Sequence, residues 1–184
     1  MKLRIISGLL KNRYIKIPDS QAVFRPTKEM VRGAMADSIR ERIEGSLVAD
    51  FCAGSGSFGF EMLSRGARCV DFIDNDPALC RAIAAHAQQF KLDRQCRVRR
   101  NDITVFIKNC RERYDIIYYD PPYDGIDLAQ AVLKILPFVS PEGILLYERR
   151  REKGKFGAAA YTSDNFSVES RYYGETQMDI YTRV

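Results

Sequence analysis

The sequence predicts an α/β sandwich: a mostly parallel seven-stranded sheet with helices on both faces, closed by a C-terminal antiparallel hairpin and preceded by a small basic β-hairpin and helix. Three observations predict it. From residue 47 onward, short apolar runs alternate with helix-length stretches, the order of βαβ units. Those runs are apolar at successive positions, as in parallel strands covered on both faces. The last two runs, Phe166 to Tyr173 and Thr176 to Arg183, flank Gly174-Glu175, a tight-turn spacing for antiparallel strands.

The elements follow in order. Leu3 to Ser7 and Tyr14 to Ile17 read as two short strands around Gly8 to Arg13. Arg25-Pro26-Thr27 starts a helix that runs to about Ile43, with Thr27 as its N-cap and Met30, Val31, Ala34, Met35 and Ile39 along one stripe. Gly45-Ser46 punctuates. Strands are then expected at Leu47 to Cys52, Cys69 to Asp74, Cys96 to Arg100, Tyr114 to Tyr119 and Gly143 to Arg149. Helices are expected at Phe58 to Arg65, Pro77 to Phe90, Ile103 to Cys110 and Leu128 to Leu136. The 184 residues therefore divide into a basic extension, 1–44, and a catalytic-sized domain, 45–184.

Charge is unevenly placed. Residues 1–42 hold ten basic side chains against four acids, although the whole chain carries a net charge of only +5. Lys2, Arg4, Lys11, Arg13, Lys16 and Arg25, with Arg149 and Arg150 in a second cluster, are the candidate contacts for a polyanion, and nucleic acid is the natural one. No apolar run reaches the roughly 20 residues of a membrane span, and the opening segment lacks the apolar core of a signal peptide. A cytoplasmic, monomeric protein is expected. The five cysteines are scattered, with no Cys-x-x-Cys pair, and His86 is the single histidine. This argues against disulfides, a metal site, and Ser-His-Asp or Cys-His chemistry.

Gly54-Ser55-Gly56-Ser57-Phe58-Gly59 follows a strand and opens a helix. Such a loop brings backbone amides and a helix N-terminus up to a nucleotide-like ligand, whether NAD, FAD or S-adenosylmethionine. Asp50, just before it, would repel a pyrophosphate and suits a ligand with a cationic amino-acid end. Asp74, about 20 residues beyond Gly54, is placed to accept from ribose hydroxyls, at about 1.5–3 kcal/mol for each charge-assisted bond. Asp102 could accept from an adenine amine, with Ile103 beside the ring, or cap the next helix.

The fourth strand of this series runs into Asp120-Pro121-Pro122-Tyr123. Two prolines remove two N–H donors and fix an extended backbone. An exocyclic base amine can then donate one hydrogen to Asp120 and the other to the Pro121 carbonyl, which aims its lone pair at a methyl group. Tyr123 offers a stacking face, a contact of about 1–3 kcal/mol in other base-binding sites.

Asp-Pro-Pro-Tyr with Ala-Gly-Ser-Gly resembles the amino methyltransferases that use S-adenosylmethionine. Further segments narrow the likeness: Arg4-Ile5-Ile6-Ser7-Gly8, Arg25-Pro26-Thr27, Phe51 to Gly56, Glu61 with Ser64-Arg65-Gly66-Ala67, and Tyr173-Gly174-Glu175-Thr176. In that order they resemble the RsmD family, bacterial methyltransferases of a guanine N2 in 16S ribosomal RNA. The resemblance implies a Rossmann-like class I methyltransferase fold and a substrate carried in the small ribosomal subunit. It also implies that Thr27, Asp50, Ala53, Gly54, Gly56, Asp74, Asn75, Asp102 and Ile103 form the cofactor pocket, and that Asp120 to Tyr123 form the catalytic loop. Asp74-Asn75-Asp76 departs from the family, which more often has Glu followed by a basic residue there. Three alternatives stay open: an adenine-N6 methyltransferase of RNA or DNA, a non-catalytic S-adenosylmethionine-binding RNA-binding protein, and a dehydrogenase.

Overall fold

The computed structural model describes residues 1–18, 29–121, 128–151 and 164–184. A two-stranded antiparallel sheet opens the chain, β1 (Lys2–Arg4) against β2 (Tyr14–Lys16). Helix α1 (Glu29–Ser38) follows. The main sheet then alternates with helices in the expected order: β3 (Leu47–Phe51), α2 (Ser57–Ser64), β4 (Cys69–Asp74), α3 (Pro77–Phe90), β5 (Cys96–Arg100) and α4 (Ile103–Asn109). β6 (Tyr114–Tyr119), α5 (Leu128–Ile135), β7 (Val139–Arg150), β8 (Phe166–Tyr173) and β9 (Thr176–Arg183) complete it.

The strand order is β5-β4-β3-β6-β7-β9-β8. The first five are parallel, and β9 joins β7 antiparallel with β8 outside it. The order reverses between β3 and β6, and ligands of open α/β sheets bind at the carboxyl ends of the strands at such a point. Alternation along the strands splits the core in two. Val48, Val70, Phe72, Ile116, Tyr118, Ile144 and Leu146 pack under α1, α2 and α3. Ala49, Phe51, Ile73, Ile117, Tyr119, Leu145 and Tyr147 pack under α4 and α5. Among the described residues no helix is long and apolar enough to cross a membrane.

Three boundaries differ from the sequence reading. The first helix ends at Ser38, whose hydroxyl donates to the Met35 carbonyl at 2.7 Å, and the chain continues as a 3-10 turn over Arg40–Arg42. A serine back-bonded in this way competes with the helix ladder. β1 ends at Arg4, before Ser7. β7 starts at Val139, four residues early, because it pairs with Tyr114 across a register irregularity in β6.

A larger difference concerns the N-terminal hairpin, which the sequence presents only as part of a basic extension. Its inner residues Leu3, Ile5, Ile15 and Ile17 are buried, and Ile5 and Ile15 join the same cluster as Val48 and Phe60. Polar contacts lock it to α2. The Ile6 and Ser7 amides donate to Glu61 Oε2 and Oε1 at 2.8 and 3.1 Å, and the Leu9 amide donates to the Ser64 carbonyl at 2.7 Å. The Ser64 hydroxyl donates to the Ser7 carbonyl and accepts from the Leu10 amide. On α3, His86 Nε2 accepts from the Lys16 amide at 2.9 Å while Nδ1 faces the Ala82 carbonyl at 2.7 Å. The imidazole is thus neutral with its proton on Nδ1, and burial pushes its pKa down. The sole histidine is a structural strut.

Gly8 shows how tight this junction is. Its φ is +79°, and a Cβ there would lie 1.7 Å from the Ser64 carbonyl oxygen. Gly8→Ala should therefore cost on the order of 3 kcal/mol or more, from left-handed strain plus a backbone clash. Urea denaturation measures this, and a loss below about 1 kcal/mol would mean that the hairpin is not seated on α2 as described.

Candidate functional site

The loop between β3 and α2 turns through positive φ at Cys52 (+59°), Gly54 (+56°) and Gly56 (+73°). On such a path backbone carbonyls serve only some amides, Ala53 through Ile73 at 3.0 Å and Gly56 through Ala53 at 2.7 Å, and nearby carboxylates accept from others. Asp74 Oδ2, at the end of β4, takes the Gly54 amide at 2.7 Å. Asp50 Oδ2, on β3, takes the Gly59 amide in the first turn of α2 at 3.0 Å. A Cβ on Gly56 would come within 3.1 Å of both Phe72 and Ile83. Glycine here allows the loop to press onto β4 and α3. Cys52 keeps a left-handed conformation without being glycine, and burial pushes its thiol pKa well up, so it is a poor nucleophile.

Five acids collect where these strands end: Asp50 on β3, Asp74 on β4, Asp102 after β5, Asp120 after β6 and Glu148 on β7. Asp50 and Glu148 are only 1% and 3% exposed, Asp74 is 9% exposed, Asp120 is half-buried and Asp102 is exposed. Asp50 lies opposite Tyr118 in the register, and Tyr119 opposite Tyr147, which sets Asp120 beside Glu148. All four side chains, Asp50, Tyr118, Asp120 and Glu148, therefore belong to the sheet face under α1 to α3. Tyr118 donates to Glu148 Oε2 at 2.5 Å, and its ring stacks on Phe58 at 4.1 Å and 18°. Burial, then the Glu148 and Asp50 carboxylates, push the Asp120 carboxyl well above the usual carboxylate range. Burial raises Asp50 and Asp74 as well, opposed by the backbone amides each accepts.

The sequence-predicted residues fall into three groups. Gly54, Gly56, Ala53, Asp74 and Asn75 meet at the C-terminal edge of β3 and β4, Asp102 and Ile103 continue it at β5, and Asp120 and Pro121 form its centre at β6. Asp74 Oδ1 also accepts from the Asp76 amide at 2.9 Å, and its lone pairs leave room for a hydroxyl donor at each oxygen. Asp102 is the N-cap of α4: Oδ1 accepts from the Thr104 amide at 2.8 Å and from the Thr104 hydroxyl, which holds its pKa low. Thr27, Arg25, Pro122 and Tyr123 lie outside the described residues.

Asp50, expected in the cofactor pocket, is enclosed and bound to α2 from beneath the loop. One expectation is corrected. Arg149 is not a surface contact for RNA: it is 5% exposed, and its Nε donates to Asp179 on β9 at 2.7 Å. Burial along β7 runs unbroken from Gly143 to Arg149, both faces being covered, and ends at the exposed Arg150. Lys2, Arg4, Lys11, Arg13 and Lys16 are all exposed, with Lys2 and Lys16 paired across the hairpin and Arg4 near Glu29 at 3.3 Å. Sequence reasoning missed Tyr118 and Glu148. The available signal was an acid ending an apolar strand, Leu145-Leu146-Tyr147-Glu148, as in the neighbouring strands. Among the described residues no group of three or more His, Cys, Asp and Glu could hold a metal ion.

A family model described as conserved hypothetical protein 95 matches residues 3–182. The chain is 28% identical over 158 residues to ribosomal RNA small subunit methyltransferase D of Haemophilus influenzae, covering 83% of this chain and 81% of that one. The solved structure of the Escherichia coli protein yhhF superposes with a TM-score of 0.85 at 24% identity, over 100% of this chain and 98% of that one. The Thermus thermophilus 16S rRNA N2 G1207 methyltransferase RsmC, solved in complex with AdoMet and guanosine, gives a TM-score of 0.73 at 18% identity, covering 100% of this chain and 50% of that one. These two likenesses carry the fold: a class I methyltransferase sandwich.

The crowded carboxylates make a stability prediction. With its folded pKa raised above the unfolded value, Asp120 favours folding only once protonated, and that contribution is lost as pH rises through the folded pKa. Asp120→Asn should accordingly stabilise the ligand-free protein by about 1 kcal/mol or more at pH 7.5. The gain should vanish near pH 4. Equal urea midpoints for variant and wild type at pH 7.5 would show that Asp120 is not under electrostatic pressure.

Proposed function

This chain belongs to the conserved hypothetical protein 95 family, the RsmD family of methyltransferases, and from that membership we propose that it uses S-adenosylmethionine to methylate the exocyclic N2 amine of a guanine in 16S ribosomal RNA within the small ribosomal subunit. It acts as a cytoplasmic monomer on this reading. The observation that carries it is the Asp120-Pro121 pair at the end of the central strand β6, next to the Gly54–Gly56 loop on β3.

The donor set fits the cofactor. Asp74 offers carboxylate oxygens for a ribose diol and Asp102 an exposed carboxylate near the base, with Ala53, Asn75 and Ile103 around them. An acidic rim favours a cationic ligand over a pyrophosphate. S-adenosylmethionine supplies an electrophilic methyl group on a sulfonium. The chain does the rest: Asp120 and the Pro121 carbonyl hold the two amine hydrogens, which directs the nitrogen lone pair away from them. The family resemblance assigns Pro122 and Tyr123 to the same catalytic loop and Thr27 to the cofactor pocket. Lys2, Arg4, Lys11, Arg13, Lys16, Arg25 and Arg150 grip phosphates, so the basic segment 1–44 is the RNA-contacting part of the molecule.

Transfer of labelled methyl to small subunits, naked 16S RNA and DNA, with nucleoside identification, tests this reading. N2-methylguanosine on subunits is the expected product, whereas N6-methyladenosine would overturn the base assignment. Asp120→Ala should lower the rate by about 10²–10³ while cofactor affinity by calorimetry stays within a few-fold. Asp74→Ala should do the reverse, weakening cofactor binding by about 2–5 kcal/mol.

RNA gripping has a separate test. Removing residues 1–24 would strip Ile5 and Ile15 from the core, so surface substitution is the clean experiment. Lys11, Arg13 and Lys16 replaced together by Ala should keep the melting temperature yet weaken subunit binding. Each lost phosphate contact should reduce the salt slope by about 0.7–0.9. Wild-type affinity and salt dependence in the triple variant would make this face merely solvated.

A further inference from the structure

Glu148 has no assigned part in the reaction, yet it is almost fully enclosed beside Asp120. We propose that Glu148 is a positioning residue for methyl transfer: clamped by the Tyr118 hydroxyl, it keeps negative charge beside Asp120, so that Asp120 becomes the base that takes the proton from the methylated amine. This rests on the reading of Asp120 as the amine acceptor.

The arrangement is built rather than incidental. Glu148 is 3% exposed on β7, in a register that places it next to Asp120. Tyr118 reaches it at 2.5 Å, and that tyrosine is itself held by its stack on Phe58 and by its place opposite Asp50. A bare strand-end aspartate is a weak base, with an unperturbed pKa of about 3.9. A second carboxylate alongside cannot ionise freely with it, so the pair retains a proton to higher pH. The groups facing Asp120 are Glu148 from β7, Asp50 and the Cys52 thiol from β3 and its loop, and Tyr118 on its own strand, whose hydrogen bond draws the Asp120 pKa down against the carboxylates; Asp74 sits beyond Asp50, and Arg32 of α1 lies towards Tyr118. The carboxylates outnumber the one cation, which raises the basicity of Asp120.

The proton balance is simple. The amine nitrogen attacks the methyl carbon, the carbon–sulfur bond breaks with its electron pair leaving on sulfur, and the nitrogen becomes cationic with two hydrogens. One of these passes to Asp120, giving a neutral secondary amine and a protonated carboxyl, which later loses its proton to water. A more basic acceptor also polarises the N–H bond more strongly before transfer.

Carboxyl ¹³C NMR titration of the ligand-free protein reads the pair directly. In wild type, the Asp120 and Glu148 signals should each respond at two shared midpoints, with the upper one well above the ordinary carboxylate range. In Glu148→Gln, the Asp120 midpoint should drop by at least one pH unit. The acid limb of the kcat profile should drop with it, while the KM for S-adenosylmethionine stays unchanged. Independent titration of the two acids in wild type overturns the proposal, and so does an acid limb unmoved by Glu148→Gln. The wild-type titration decides the matter even where the variant does not fold. It also needs no RNA, so a wrong base assignment and a wrong role for Glu148 would show separately.

Discussion

A backbone turning through the left-handed region at Cys52, Gly54 and Gly56 satisfies only some of its amides from backbone carbonyls, Ala53 from Ile73 and Gly56 from Ala53, and the rest of the site depends on how the remaining ones are met. Buried N–H groups without acceptors are too costly to persist. Water is largely excluded, because Ala53, Gly54, Ser55 and Gly56 are all buried. The acceptors are two carboxylates from adjacent strands, Asp74 for Gly54 and Asp50 for Gly59. The loop is therefore registered to the sheet at both ends, and α2 is aimed by the strand that precedes it. A ligand resting on this loop meets atoms whose positions the core has set, which is the preorganisation a transfer reaction needs.

The same device fixes the basic hairpin. Glu61 is fully buried, accepts from the Ile6 and Ser7 amides and from Arg65 Nε, and lies 3.9 Å from Arg32 Nε. Arg32 donates to the Arg4 carbonyl through Nη2, while Nε and Nη1 have no hydrogen-bond partner among the described residues. Burial pulls its pKa down and Glu61 restores part of it. Breaking one member of a buried pair costs about 3–5 kcal/mol, so hairpin, α1 and α2 are coupled. Because α2 also carries the glycine loop, the exposed face with Lys2 and Lys16 is held rigidly with respect to the site.

How much of this was legible depends on the range of the interaction. Strands and helices from β3 to β6 match the sequence reading within a residue or two, because periodicity and glycine punctuation are local. Gly54, Gly56, Asp74, Asp102 and Asp120 were legible for the same reason, each standing at a strand end or helix start. Tyr118 and Glu148 were not, since their bond joins residues 30 apart. Arg149 was misread because a sheet covered on both faces has no polar side, and an arginine in such a strand can be buried when β9 supplies Asp179. The hairpin was read as an appendage because its apolar positions, Ile5 and Ile15, are too few to announce a core they join only in three dimensions.

The acids at this edge sort by what they accept. Three helices, α2, α3 and α4, begin here, and each N-terminus presents amides and positive dipole ends that favour anions. Asp50 serves the first turn of α2, Asp76 caps α3 through the Ala78 and Leu79 amides, and Asp102 caps α4. Asp74 serves the glycine loop. These carboxylates would be needed in any fold with this loop and these helices, whatever reaction it ran. Asp120 and Glu148 differ: the acceptor bond seen for Glu148 comes from the side chain of Tyr118, and no helix N-terminus among the described residues draws on either. Two carboxyls crowded together carry an electrostatic cost that the Tyr118 hydroxyl offsets only in part. The proposed role of Asp120 in methyl transfer would account for that cost.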